Sequence, residues 1–241
     1  MKAEPTLVMI PCFAGAPWQL DQLSGLQGRA MRTLRLPDDV CELERLDDFI
    51  LDQVKDLERY VLVGDSYGAV SSIVVATRQP KGLQGLVISG GFAKSPITSP
   101  LLKTLAGLAP FFPGPFYRQT TLRFHAAQLA STFDKEGEIP WSTGKSRAFF
   151  IKETPHKAYV NRIRSIEKAD YTAQLKRINV PTLILTPEED KLIGKEAAGI
   201  LLNDIKGAQE VVMPRTGHMF RFSHPGAYSR EIRKFLERVS L

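Results

Sequence analysis

The amino-acid sequence predicts an α/β fold: a mostly parallel sheet of about six strands, helices on both faces, and one helical insertion. Three observations point there. Short continuous apolar runs alternate with helix-spaced stretches, the pattern of a sheet covered on both sides. A glycine-flanked turn, Gly64-Asp-Ser-Tyr-Gly68, joins one such run directly to an apolar helix. The alternation breaks across residues 92–172, where proline pairs and basic residues take over. With 241 residues, 43 % of them hydrophobic, the chain is long enough to bury one full core.

The elements follow in order. Thr6-Leu-Val-Met-Ile-Pro11 is a buried strand that ends in proline and leads into Phe13-Ala-Gly-Ala. Pro17 to Leu26 reads as a short helix opened by its proline, and Arg32 to Leu36 as a second strand stopped by Pro37. Apolar residues at 43, 46, 50, 54 and 57 recur at helical spacing. Tyr60-Val-Leu-Val63 is a strand, Ala69 to Thr77 a buried helix, and Gly85 to Ser89 the next strand. Beyond the insertion come a strand at Thr182 to Thr186, a helix at Lys195 to Lys206, a strand at Glu210 to Met213 and an amphipathic helix at Gly226 to Val239. Residues 1–91 and 173–241 therefore form the core. Residues 92–172 form an insertion, with helical patches at 116–133 and 147–166, over one end of the sheet.

Several classes are excluded early. No run of about twenty apolar residues exists to span a membrane. The opening apolar run is strand-length, too short for a secretory leader core. Two cysteines, Cys12 and Cys41, do not make a disulfide framework, so a cytoplasmic setting is expected. Neither they nor the four histidines show metal-ligand spacing, and no metal or organic cofactor is implied.

The chemistry centres on Ser66. A sharp turn between strand and helix needs small flanking residues, and its apex side chain emerges at the carboxyl end of the sheet, where such sheets hold ligands. A serine hydroxyl needs a base to become a nucleophile. His218, in Thr216-Gly-His-Met just past the last strand, reaches that same edge. His224 reads as a helix-entry residue, and His125 and His156 as surface or packing residues of the insertion. The carboxylate that orients the base comes from Thr186-Pro-Glu-Glu-Asp190; Asp190 is preferred, with Glu188 and Glu189 as alternatives. Backbone N–H groups of Tyr67 and Phe13 are the candidate donors to a tetrahedral oxyanion. The plainer reading makes Ser66 a helix N-cap and the acidic loop a solvated turn; the three residues occurring together weigh against it.

In this light the chain resembles the α/β-hydrolase fold superfamily along nearly its whole length. The matching stretches are Leu7 to Gly15, Val61 to Ala69, Pro181 to Ile193 and Met213 to Phe220. The resemblance implies a Ser66–Asp190–His218 triad, an oxyanion hole from Phe13 and Tyr67, and a lid at 92–172. Two departures stand out: Pro187 where many members have glycine, and Pro11-Cys12 where many have His-Gly. A serine nucleophile sets the chain apart from the dehalogenase and epoxide hydrolase branches, which use aspartate.

The expected activity is cleavage of a small or medium carboxylic ester. Leu105, Phe111, Phe112 and Phe116 are candidates to line an apolar acyl pocket, although packing of the lid onto the core accounts for the same stripe. The net charge of +6 resides wholly in residues 92–170, with twelve Lys or Arg against six Asp or Glu. Arg118, Arg123, Arg147, Lys152, Arg162 and Arg164 are candidate contacts for an acidic acyl carrier protein. In size and charge placement the chain is similar to the pimeloyl-[acyl-carrier protein] methyl ester esterases. No nucleic-acid recognition motif accompanies these charges. Rival classes are a non-hydrolytic lyase or haloperoxidase, and a binding protein with an idle triad on the same fold.

Overall fold

A computed structural model describes residues 4–108, 111, 114, 116, 126, 127, 129 and 132–239. Six strands form one parallel sheet: β1 (Thr6–Ile10), β2 (Met31–Thr33), β3 (Tyr60–Asp65), β4 (Leu83–Ser89), β5 (Thr182–Pro187) and β6 (Gln209–Met213). Their order across the sheet is β2-β1-β3-β4-β5-β6. The chain leaves β1 toward one edge, and the succession from β3 onward grows toward the other. The ends of β1 and β3 therefore flank a topological switch point, where parallel sheets open a crevice.

Strand alternation divides the core in two. Val8, Ile10, Leu62, Leu86, Ile88 and Ile184 face α1 (Leu43–Val54), α2 (Tyr67–Thr77) and α7 (Lys195–Asp204). Leu7, Met9, Val61, Val63, Val87 and Leu185 face the opposite layer. That layer holds a 3₁₀ turn at Leu20–Leu26 and the terminal helix α9 (Pro225–Val239), whose Tyr228, Ile232, Phe235 and Leu236 recur at helical spacing. Between β4 and β5 lie α3 (Pro100–Leu108), α4 (Thr132–Lys135), α5 (Thr143–Glu153) and α6 (His156–Lys168). A four-residue helix, α8 (Phe220–Ser223), precedes α9.

Three sequence expectations change. The helix expected from Pro17 is a broken 3₁₀ turn with Leu23 out of helical conformation, and Trp18 N donates to Thr33 Oγ1 instead. Strand β2 is only three residues long, because Leu36 N turns to the carbonyl of Gly15 and draws the chain across the β1 turn. The helical patch expected over 147–166 is two helices, since Pro155 has no N–H to continue the ladder. The patch expected at 116–133 falls largely outside the described residues.

Candidate active site

Ser66 occupies the tight turn between β3 and α2. Its backbone has φ 55° and ψ −110°, a left-handed conformation uncommon for serine, held by Ser66 N donating to Ser89 O at 2.8 Å. Parallel register pairs Ile10 with Gly64, so the turn packs against the end of β1. A Cβ on Gly68 would lie 2.3 Å from Ile10 O, and one on Gly64 would lie 2.4 Å from Gly68 O. Both glycines are thus required by backbone proximity.

The loops after β5 and β6 bring the other two side chains to Ser66. Glu188 N donates to Met213 O and Glu189 N to Thr216 O, joining the loops to each other. The carboxylate of Asp190 can only accept, so it takes the Nδ1–H of His218 at 2.7 Å. This leaves Nε2 to accept the Ser66 hydroxyl at 2.9 Å. Asp190 Oδ1 also accepts from Leu192 N and Ile193 N, which fixes the carboxylate plane. All three side chains are buried. Glu188 turns away to accept from Arg215 N, and Glu189 is exposed, so Asp190 is the one acidic residue of its loop in contact with His218. His224 contacts Ser223 Oγ, and His125 lies outside the described residues.

Burial works to lower the pKa of His218, but the charge and hydrogen bond of Asp190, with further help from Asp65 and Asp134, raise it above its ordinary 6.5. For Asp190, burial works upward. The His218 interaction and the two backbone N–H bonds outweigh it and hold the carboxyl below its ordinary 3.8.

Phe13 and Tyr67 lie side by side across the switch point, their rings edge to face at 6.1 Å. Tyr67 opens α2, where first-turn N–H groups have no partner within the helix and the helix dipole is positive. Phe13 sits in a turn closed by Gly15 N donating to Cys12 O at 2.8 Å. Beyond His218, the ring of Phe222 packs at a tilt on Trp141 at 4.6 Å and edge to face on Phe149 at 5.3 Å. Among the described residues, no cluster of three or more His, Cys, Asp or Glu is arranged to hold a metal ion.

The basic and apolar candidates fare unevenly. Phe112, Arg118 and Arg123 lie outside the described residues, as does the side chain of Leu105. Phe111 and Phe116 are exposed, at 79 % and 49 %. Lys152 and Arg164 are exposed, and Arg147 is half-buried. Arg162 corrects the expectation of a docking contact: its side chain is 2 % exposed and hydrogen-bonds inward, so it presents no surface to a partner. Sequence reasoning also missed the buried Asp65–Arg221 ion pair. An aspartate in an otherwise apolar strand signals a buried cation nearby, without saying which one.

Sheet, switch point and this cluster define a hydrolase fold. The chain belongs to the alpha/beta hydrolase family, whose model matches residues 7–231. It is 26 % identical to a proline iminopeptidase of Saccharolobus solfataricus over 214 residues, covering 82 % of this chain and 68 % of that one. It is also 26 % identical to a pimeloyl-[acyl-carrier protein] methyl ester esterase of Neisseria meningitidis, covering 74 % and 70 %. The matched stretches span about two thirds of these relatives' lengths. A hydrolase structure from Pseudomonas aeruginosa superposes with a TM-score of 0.82 at 19 % identity, covering 97 % of this chain and 90 % of that one. Among the described residues no helix is long and apolar enough to cross a membrane.

Proposed function

We propose that the chain is a serine hydrolase that cleaves a carboxylic ester through an acyl-enzyme. The observation that carries this reading is the buried relay from Asp190 through His218 to Ser66, at 2.7 and 2.9 Å. In the first half-reaction His218 Nε2 takes the Ser66 proton as Oγ bonds to the ester carbonyl carbon. The carbonyl oxygen becomes an oxyanion facing the N–H groups of Phe13 and Tyr67. The carbon–oxygen bond to the alcohol then breaks, and the alcohol leaves with the proton from His218. Water repeats the sequence on the acyl-serine and releases the acid. Asp190 keeps one imidazole tautomer and stabilises the imidazolium between these steps.

A fluorophosphonate probe tests the reading directly. Wild type is expected to label at Ser66 and to hydrolyse p-nitrophenyl acetate, and Ser66→Ala to do neither. A folded wild type that fails to label at neutral pH would instead favour an idle triad or non-hydrolytic chemistry.

A second reading, an ester or thioester carried on an acidic acyl carrier protein, has support of its own. Lys145, Lys152, Lys157, Arg164 and Lys168 are exposed on or beside α5 and α6, and the Neisseria relative is named for such a substrate. In this reading the segment between β4 and β5 acts as a basic lid. Lys152→Glu with Arg164→Glu is expected to slow cleavage of carrier-linked esters at low salt and to spare p-nitrophenyl acetate. Equal rates of wild type and variant on carrier-linked esters at all ionic strengths would end it.

A further inference from the structure

We infer that Arg162 is a positioning residue that holds the oxyanion loop in its working shape from helix α6. The inference rests on the proposed hydrolase reading and deepens it. Among the described residues, Arg162 is the largest fully buried side chain. Its Nη1 donates to Phe13 O at 2.8 Å, and its Nη2 to Pro37 O at 3.2 Å and Asp38 Oδ1 at 3.0 Å, with Leu36 O at 3.4 Å. Asp38, which is about half exposed, is the carboxylate that pairs with it. A buried cation is costly, and a neutral side chain could fill the same space. What the guanidinium adds is a rigid, planar set of donors able to grip carbonyls on two separate loops at once.

Those carbonyls belong to the segment that matters. The peptide before Phe13 is fixed by Gly15 N donating to Cys12 O. The carbonyl after it is fixed by Arg162, so both peptides flanking Phe13 are held. Gly15 makes room for this: its φ is +74°, and a Cβ there would lie 2.5 Å from Arg162 Nη2. The same face of α6 reaches the second donor residue as well. Ser165 Oγ lies 2.9 Å from the Tyr67 hydroxyl and donates to Arg162 O, while the Tyr159 ring packs edge to face on Phe13 at 5.2 Å. One helix from outside the sheet thus touches both residues proposed to bind the oxyanion.

The test compares wild type with Arg162→Met and Arg162→Lys, using p-nitrophenyl acetate kinetics, fluorophosphonate inactivation rates and thermal melting. Loss of one well-placed oxyanion donor costs about 100-fold or more in kcat, so disordering its loop is expected to lower kcat about 10- to 100-fold. KM should stay within about twofold, as for a group felt only in the transition state. Inactivation by the tetrahedral phosphonate should slow in parallel, with Arg162→Lys intermediate. A folded Arg162→Met with unchanged kcat, or with only KM altered, overturns the inference. Where Arg162→Met does not fold, Asp38→Asn decides: it loosens the guanidinium without emptying its site, and unchanged kcat there overturns the inference equally. If wild type fails to label at Ser66, the hydrolase reading falls and this inference with it; normal labelling with indifferent variants removes this inference alone.

Discussion

Asp65 and Arg221 form a buried ion pair, Oδ2 to Nε at 2.7 Å, that ties the strand end one residue before Ser66 to the helix three residues after His218. The guanidinium is clasped between the rings of Trp18 and Phe222, at 4.0 and 3.9 Å. Both side chains are almost fully buried, so removing one leaves an uncompensated charge in the core. Arg221→Met is expected to lower stability by about 3–5 kcal/mol, read from urea unfolding. Replacing both residues by apolar ones of similar volume should cost less than the single change.

Glycine substitutions separate backbone crowding from open space. Gly68→Ala would press a methyl group against Ile10 O and Pro11 O, backbone atoms of a central strand end. A loss of about 1–3 kcal/mol or more in thermal or urea unfolding is expected. Gly199→Ala, inside α7 with nothing within 4 Å of its Cβ position, should instead raise stability by about 0.5–1 kcal/mol. Equal effects at the two sites would contradict the packing described at the Ser66 turn.

The acidic loop gives a sharp contrast between neighbours. Asp190→Asn is expected to reduce kcat by about 10⁴-fold, because the amide no longer fixes the imidazole tautomer that accepts the serine proton. Glu188→Gln should leave kcat near the wild-type value, since Glu188 contacts Arg215 N rather than His218. Steady-state rates on p-nitrophenyl acetate decide between the two positions.

The pH dependence follows from the two shifted groups. His218 must be neutral to accept the serine proton, and its pKa is raised, so the acid limb of kcat/KM is expected above 6.5. The sign for stability is opposite. The raised His218 pKa adds stability that is complete below the unfolded value and fades as pH rises through the folded one. The lowered Asp190 pKa adds stability above its unfolded value of 3.8, lost as pH falls through the folded one. The stability difference between wild type and Asp190→Asn should therefore peak between 3.8 and 6.5. A difference flat with pH would show that the pair is not coupled.

Local pattern determined much of this protein before any contact was known. Continuous apolar runs marked the four central strands β1, β3, β4 and β5, because a sheet buried on both faces leaves no polar side to write into the sequence, whereas the edge strands β2 and β6 carry polar residues. Gly64 and Gly68 marked the Ser66 turn, because only glycine tolerates backbone that close. His218 and the acidic loop 188–190 were legible from their places just past β6 and β5, since parallel strands deliver their following loops to one edge. Tertiary structure alone decided the rest. Whether Asp190, Glu188 or Glu189 meets His218 depends on how two loops hydrogen-bond to each other, 28 residues apart in the case of the contact itself. The fate of Arg162 turned on the same kind of information. A basic residue on a basic helix reads as surface charge, and only packing against Phe13 and Asp38, 149 and 124 residues away, places it inside. Periodicity along a chain encodes which face of an element is apolar, whereas the partner of a buried charge is set by residues the element meets only after folding.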